Sequence, residues 1–142
     1  MANDSDPFGA WSAHTDMTGI RKELAIGYDE ALLRVPEALK TEGFGVLTEI
    51  DIAATLKKKL DVDFRRYKIL GACNPALAHK ALGILLEVGV MLPCNVIVYE
   101  RDDGGATVVA IDPAETIAAR DPRLAEIAAE VRQRLVRVIE RI

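Results

Sequence analysis

The chain of 142 residues is 50% hydrophobic and 28% charged, with a formal net charge of −4, a composition typical of one globular domain. Its 18 Lys and Arg residues against 22 Asp and Glu residues predict no basic surface for nucleic acid or anionic lipid. The chain also has neither a signal-like start nor an apolar run of about 20 residues. We therefore expect a cytoplasmic protein that binds neither nucleic acid nor membranes.

The chain begins with a segment unlike the rest. Residues 1–19 are rich in Asp, Ser, Gly and Thr, which is typical of a flexible tail. Apolar and polar residues then alternate over 20–26, which predicts a strand. We expect residues 20–142 to form a single domain.

The first helix is predicted over residues 28–42, where apolar residues recur every three or four positions. Gly43 stands where a left-handed C-terminal cap belongs. Pro36 lies inside the pattern, and it predicts a kink or a division into two short helices.

Strands and helices continue to alternate through the middle of the chain. Residues 44–50 predict a second strand, and Asp51 can cap a short helix that reaches residue 60. A third strand follows over 67–72. The next helix begins with Asn74 as its cap and Pro75 as its first residue.

The last third predicts a hairpin and a long helix. Strands over 96–100 and 107–111 are joined by turn residues, and the clearest helical stripe of the chain covers 123–142. The element order is then βαβαβαββα. We predict an α+β fold with a mainly antiparallel sheet of about five strands and helices packed on one face.

The strands contain too many apolar residues for one buried face. In each strand, the residues that alternate with the most apolar set should lie on the sheet face away from the helices. This set consists of Leu47, Leu70, Ile97, Tyr99 and Val108. Such a face predicts a homodimer interface or a binding site for a small molecule or protein partner.

Two cysteines provide the alternative site. Cys73 lies between a strand end and a helix start, a position that can favour the thiolate, and Cys94 ends the connection back into the sheet. His79 lies about one turn into that helix, and Asn74 follows Cys73 directly. These four residues are candidates for sulfur transfer, redox exchange or binding of a soft metal ion, while burial of the cysteines as core filler is the competing interpretation.

Familiar cofactor motifs do not occur. The chain has no GxxxxGK[ST] loop and no GxGxxG turn, and its cysteines and histidines do not have zinc-finger spacing. The sequence therefore assigns no metal ligands by motif and leaves the cofactor unknown.

Four segments carry a resemblance to a known family. They are GFGVLTEID at 43–51, YKILGACNPALAHKAL at 67–82, LPCNVIVYE at 92–100 and IDP at 111–113. From about residue 20 to 142, the chain resembles the bacterial and archaeal "domain of unknown function 302" family. The resemblance implies a small α+β fold similar to that of the TATA-binding protein, with a tendency to dimerise.

The family motif positions are all present in this sequence, and no catalytic role attaches to any of them. They are Cys73, Asn74, Pro75, His79, Pro93 and Cys94. Two hypotheses therefore remain. One is a non-catalytic dimeric module that uses the apolar sheet face, and the other is a thiol protein with a Cys73/Cys94 site.

Overall fold

A computed structural model describes residues 19–142 of the chain. The predicted tail therefore lies outside the described residues except for Gly19. The helices and strands follow the predicted order βαβαβαββα. They are β1 (Ile20–Leu24), α1 (Tyr28–Lys40), β2 (Gly45–Asp51), α2 (Ile52–Leu60), β3 (Tyr67–Cys73), α3 (Pro75–Ile84), β4 (Cys94–Glu100), β5 (Ala106–Ala110) and α4 (Ala125–Arg141).

The five strands form one antiparallel sheet in the order β1-β5-β4-β3-β2. The β4–β5 hairpin supplies two of the three central strands, as the turn residues between them predict. β1 and β2 are the two edges of this sheet. The structure confirms the predicted α+β fold with a five-stranded antiparallel sheet.

The main core lies between one sheet face, called here the helix face, and the helices α1 and α4. From the sheet, Leu70, Val96, Val98 and Val108 are almost fully buried. The two helices contribute a matching set of buried residues, among them Val35, Leu39, Leu135 and Val138. The apolar stripe of each helix therefore meets the apolar residues of alternate strand positions.

The ends of the helices follow their predicted chemistry. Gly43 has a φ of 84°, the left-handed conformation expected just past α1. The Asp51 carboxylate accepts a hydrogen bond from the Ala54 amide at 2.9 Å and caps α2. Helix α1 continues through Pro36 as one element, so of the two outcomes predicted for Pro36, a kink or a division, the division does not occur.

The sheet register corrects the predicted set of residues on the second face, the face opposite the helix face. Directly paired residues point to the same side of an antiparallel sheet. Leu70 pairs with Val96, and Val98 pairs with Val108, so Leu70 and Val108 lie on the helix face, with exposures of 1% and 0%. The prediction that they share a face with Ile97 and Tyr99 is wrong.

The physical reason for this error is that β3 and β4 are apolar on both sides. An error of one residue in phase moves a side chain to the opposite face. A β-bulge between Val46 and Thr48 also leaves Leu47 without a partner in β3, and bulges disturb the alternation of a strand. Leu47 is 65% exposed.

No helix within residues 19–142 has the length and apolar character needed to cross a membrane.

Candidate functional site

The two motif cysteines lie at the same end of the sheet, where β3 ends and β4 begins. Cys94 pairs with Ala72, the residue before Cys73 in β3. Both cysteines are free and half-buried. Both residues line the same apolar cavity, but the structure forms no disulfide between them.

The environment of Cys94 favours a neutral thiol. Burial raises the pKa of this thiol to about 11, and the nearby Cys73 adds to the increase. The thiolate is the nucleophile and the metal ligand in cysteine chemistry. At neutral pH, Cys94 is therefore in its less reactive form.

Asn74 has a structural role at the start of α3. Its Oδ1 accepts a hydrogen bond from the Leu77 amide at 3.2 Å, and its Nδ2 donates to the Glu42 carbonyl at 3.3 Å. The first bond caps the helix, as the sequence predicts. The second connects the start of α3 to the end of α1, which the sequence did not indicate.

His79 lies on the exposed side of α3, whereas Leu77 and Ala81 of the same helix are buried. The imidazole is therefore on the side of the helix that faces away from its buried contacts. Within residues 19–142, no three His, Cys, Asp or Glu side chains form a group that could hold a metal ion. The structure does not bring His79 and the two cysteines together as one site.

An apolar cavity of about 80 Å³ lies beside Cys94 on the helical side of the sheet. Its walls include Leu77 and Ala81 of α3, and Ile127 and Ala128 of α4. A 3₁₀ segment, Leu86–Met91, provides a further wall through Val88 and Met91.

The polar residues in the cavity wall have hydrogen-bond partners. Both polar atoms of the Asn74 amide are used in the contacts above, and the Thr116 hydroxyl donates to the Pro113 carbonyl at 2.7 Å. Among the described residues, no buried side-chain nitrogen or oxygen atom lacks a partner. The cavity therefore offers hydrocarbon and sulfur contacts but no free polar group. The sequence predicted its wall residues only as members of the apolar helix stripes. Such a stripe does not indicate that a cavity lies beside it.

The second face of the sheet carries a continuous apolar row. Ile50 pairs with Ile69, Ile69 with Ile97, and Ile97 with Val109. Ile50 is exposed, and the other three side chains are half-buried. None of the four belongs to the main core cluster.

Aromatic side chains lie beside this row. The rings of Tyr67 and Tyr99 are stacked with centroids 5.6 Å apart, and Phe64 contacts Tyr67 at a centroid distance of 6.2 Å. Tyr67 and Tyr99 are paired residues of β3 and β4 in phase with Ile69 and Ile97. Of the four residues proposed from the sequence for ligand binding, only Ile97 and Tyr99 are therefore shown by the register to share this face.

Comparison with known proteins places the chain in a family. The family model described as "Domain of unknown function DUF302" matches residues 20–142. This chain is a DUF302 protein. The resemblance carried by the two cysteine motifs is thereby confirmed.

A solved relative supports the same assignment. The crystal structure of an uncharacterized conserved DUF302 protein from Bacillus stearothermophilus is 35% identical to this DUF302 protein, with a TM-score of 0.80. The match covers 88% of this chain and 98% of the relative. No curated protein matches the chain.

Proposed function

We propose that this DUF302 protein is a non-catalytic interaction module that forms a homodimer through the second face of its sheet. The observation that supports this proposal is the row of Ile50, Ile69, Ile97 and Val109 across four neighbouring strands. Contiguous apolar surfaces of this kind commonly mark interaction sites. The β-branched side chains of the row give a surface suited to packing against a second sheet.

The size of this face agrees with a modest protein interface. Five strands about 4.8 Å apart, with roughly five residues each at about 3.3 Å, give a projected area of roughly 400 Å². The exposed side chain of Phe64 extends the apolar surface beyond β3. A standard interface uses about 800 Å² of accessible surface per partner, and weaker interfaces use less.

The charge of the face favours a second copy of the same chain as the partner. The net charge of −4 opposes self-association in general. On the second face, however, the charged residues of β1 are Arg21 and Glu23, which pair at 3.7 Å, and β2 to β5 contribute apolar or uncharged residues to the rows described. Arg101, which donates to the Thr107 hydroxyl beside this face, is paired with Asp103, so the charges at the edge of the face are paired within the chain.

The thiol alternative has less support from the geometry. It requires Cys73 and Cys94 to act together, with His79 as a neighbour. Both cysteines are free, the raised pKa of Cys94 keeps its thiol protonated, and His79 is exposed on α3. These features favour packing roles for the two cysteines over a reactive site that they share with His79.

The dimer is tested by light scattering coupled to size exclusion, with the full chain at several concentrations. We expect the mass of two chains for the wild type and of one chain for Ile97→Lys, since a charge in the centre of the row opposes burial. Leu33→Lys is the matched control, because Leu33 is a 74% exposed leucine on α1. This control should remain dimeric.

A wild-type protein that is monomeric at all concentrations would overturn the proposal. A protein lacking residues 1–18 separates two causes of such a result. If that variant dimerises while the full chain does not, the N-terminal segment occupies the face in place of a second copy.

A further inference from the structure

We propose that the cavity beside Cys94 binds one end of a linear, uncharged alkyl chain, whose remaining part lies along the 3₁₀ segment Leu86–Met91. This site is on the helical side of the sheet and is separate from the proposed dimer interface. The proposal therefore does not depend on the oligomeric state. It assigns the cavity a ligand class that the fold and the family membership do not provide.

The cavity wall selects against polar ligands. The side-chain amide of Asn74 and the hydroxyl of Thr116 are already engaged within the protein, and the other wall residues with a heteroatom in the side chain are Cys73, Cys94 and Met91, which offer only sulfur contacts. A charged or strongly polar group that entered would lose its hydration without gaining a partner. An apolar group has no such hydration to lose, and it would gain contacts by filling the empty volume.

The size of the cavity selects a narrow ligand. An engineered apolar cavity of about 150 Å³ in another protein binds benzene and remains dry when empty. The present cavity, at about 80 Å³, is about half as large. A short alkyl segment or a single xenon atom fits this volume better than a ring.

The 3₁₀ segment extends the apolar surface from the cavity to the outside. Val88 and Met91 line the cavity, whereas Leu86 and Val90 of the same segment are 77% and 89% exposed. Ile84, at the end of α3, is 42% exposed. Exposed aliphatic side chains beside an apolar cavity are suited to the outer part of a chain whose end is enclosed, and Met91 can adapt its shape to a ligand.

The test uses methyl NMR of the full chain during titration with xenon and with n-hexanol. We expect both probes to shift the methyl signals of Leu77, Val88 and Ile127. Ala128→Leu should abolish these shifts because the larger side chain fills the cavity. Ala129→Leu is the matched control, since Ala129 is the exposed neighbour on the same helix, and it should bind like the wild type.

Two further measurements test the linear chain and its outer contact. Cyclohexanol should bind about tenfold more weakly than n-hexanol, since about two fewer CH₂ groups would be buried. Replacing both Leu86 and Val90 by Ser should weaken n-hexanol binding by a similar factor while leaving the xenon shifts unchanged. Equal binding of the two alcohols would overturn the assignment of a linear chain.

The proposal is also overturned if neither probe shifts the cavity methyl groups, or if the shifts occur at Ile69 and Ile97 on the second face. Should Ala128→Leu not fold, Ala81→Leu fills the cavity from α3 and replaces it. The monomeric Ile97→Lys variant should retain both shifts. Loss of dimerisation and loss of ligand binding are therefore distinguishable.

Discussion

At the scale of single residues, Gly71 shows how closely the second face is packed at one position. A Cβ atom at this residue would lie 2.7 Å from Pro93 Cγ and closer still to the Thr48 hydroxyl. Pro93 and Thr48 come from segments on either side of β3. Gly71 is therefore required by the approach of its neighbours, since its φ is not in the left-handed region.

We expect Gly71→Ala to destabilise the protein by about 1–3 kcal/mol, the usual cost of an overpacked position. Gly83→Ala is the control with the opposite sign. A Cβ at Gly83 would meet nothing within 4 Å. Because alanine favours the helix over glycine, this variant should raise the free energy of unfolding by roughly 0.5 kcal/mol. Urea unfolding of the two variants measures both effects, and an equally stable Gly71→Ala would contradict the packing argument.

The raised pKa of Cys94 predicts a dependence of stability on alkaline pH. The folded protein holds the thiol proton up to about pH 11, whereas the ordinary value is 9.0. The folded state therefore binds more protons between these values, and its stability falls as the pH rises through them. Below pH 9 this contribution is complete.

Unfolding experiments across this range, with Cys94→Ala for comparison, isolate the contribution of the thiol. We expect a steeper loss of stability for the wild type than for the variant, although the variant is less stable at neutral pH because it enlarges the cavity. Parallel pH profiles would show that the thiol has an ordinary pKa in the folded protein.

At the scale of elements, Glu42 joins the end of α1 to the last helix. Its nearly buried carboxylate accepts hydrogen bonds from Arg137 Nε at 3.0 Å and Arg141 Nη1 at 2.9 Å. Its carbonyl accepts from Arg134 Nη1 at 3.1 Å and from the Asn74 amide at 3.3 Å. One residue thus connects α1, α3 and α4.

The Arg137 hydrogen bond holds the pKa of Glu42 below its ordinary value of 4.5, with further support from the charges of the nearby arginines. Because the folded pKa is depressed, the stabilisation is complete above 4.5 and is lost as the pH falls through the folded pKa. We expect Glu42→Gln to cost about 1–3 kcal/mol at neutral pH.

The difference in unfolding free energy between Glu42→Gln and the wild type should become smaller at acidic pH, because Glu42 is then protonated in both the folded and the unfolded protein. Thermal or urea unfolding from neutral to acidic pH measures it. Glu37→Gln serves as the control because Glu37 is exposed on α1. A constant difference at all pH values would argue against the ionic contribution of Glu42.

A second prediction at this scale concerns the start of α3. Asn74→Ala removes both the cap and the donor to Glu42, and we expect a loss of about 2 kcal/mol. Asn74→Asp keeps an acceptor for the Leu77 amide and should lose less. If circular dichroism melts instead show both variants to be as stable as the wild type, Asn74 does not have the structural role assigned to it.

At the scale of the whole molecule, the sheet has one face covered by α1 and α4 and a second face with its own apolar rows. Association with a second copy, as proposed above, would remove the second row from water. If two chains associate, the melting temperature must depend on protein concentration, because only the folded state forms the dimer.

We therefore expect the melting temperature of the wild type to rise with concentration and that of Ile97→Lys to remain constant. Differential scanning calorimetry over a wide concentration range makes the comparison. Leu33→Lys should follow the wild type. A wild-type melting temperature independent of concentration would contradict the dimer.

The sequence alone determined the elements of this protein and their order. Local rules suffice for this, since a helix shows its period, its cap and its C-terminal glycine within a few residues. Asp51, Asn74 and Gly43 were predicted in their roles for that reason. The family motifs also identified the DUF302 membership, because they are contiguous in the chain.

Only the tertiary structure decided which side of the sheet each strand residue occupies. In β3 and β4 both faces are apolar, so the face that Leu70 occupies depends on strand pairing, and the position of Leu47 depends on the bulge in β2. The cavity and the Glu42 cluster depend on contacts between residues up to about a hundred positions apart, and no local pattern records such contacts.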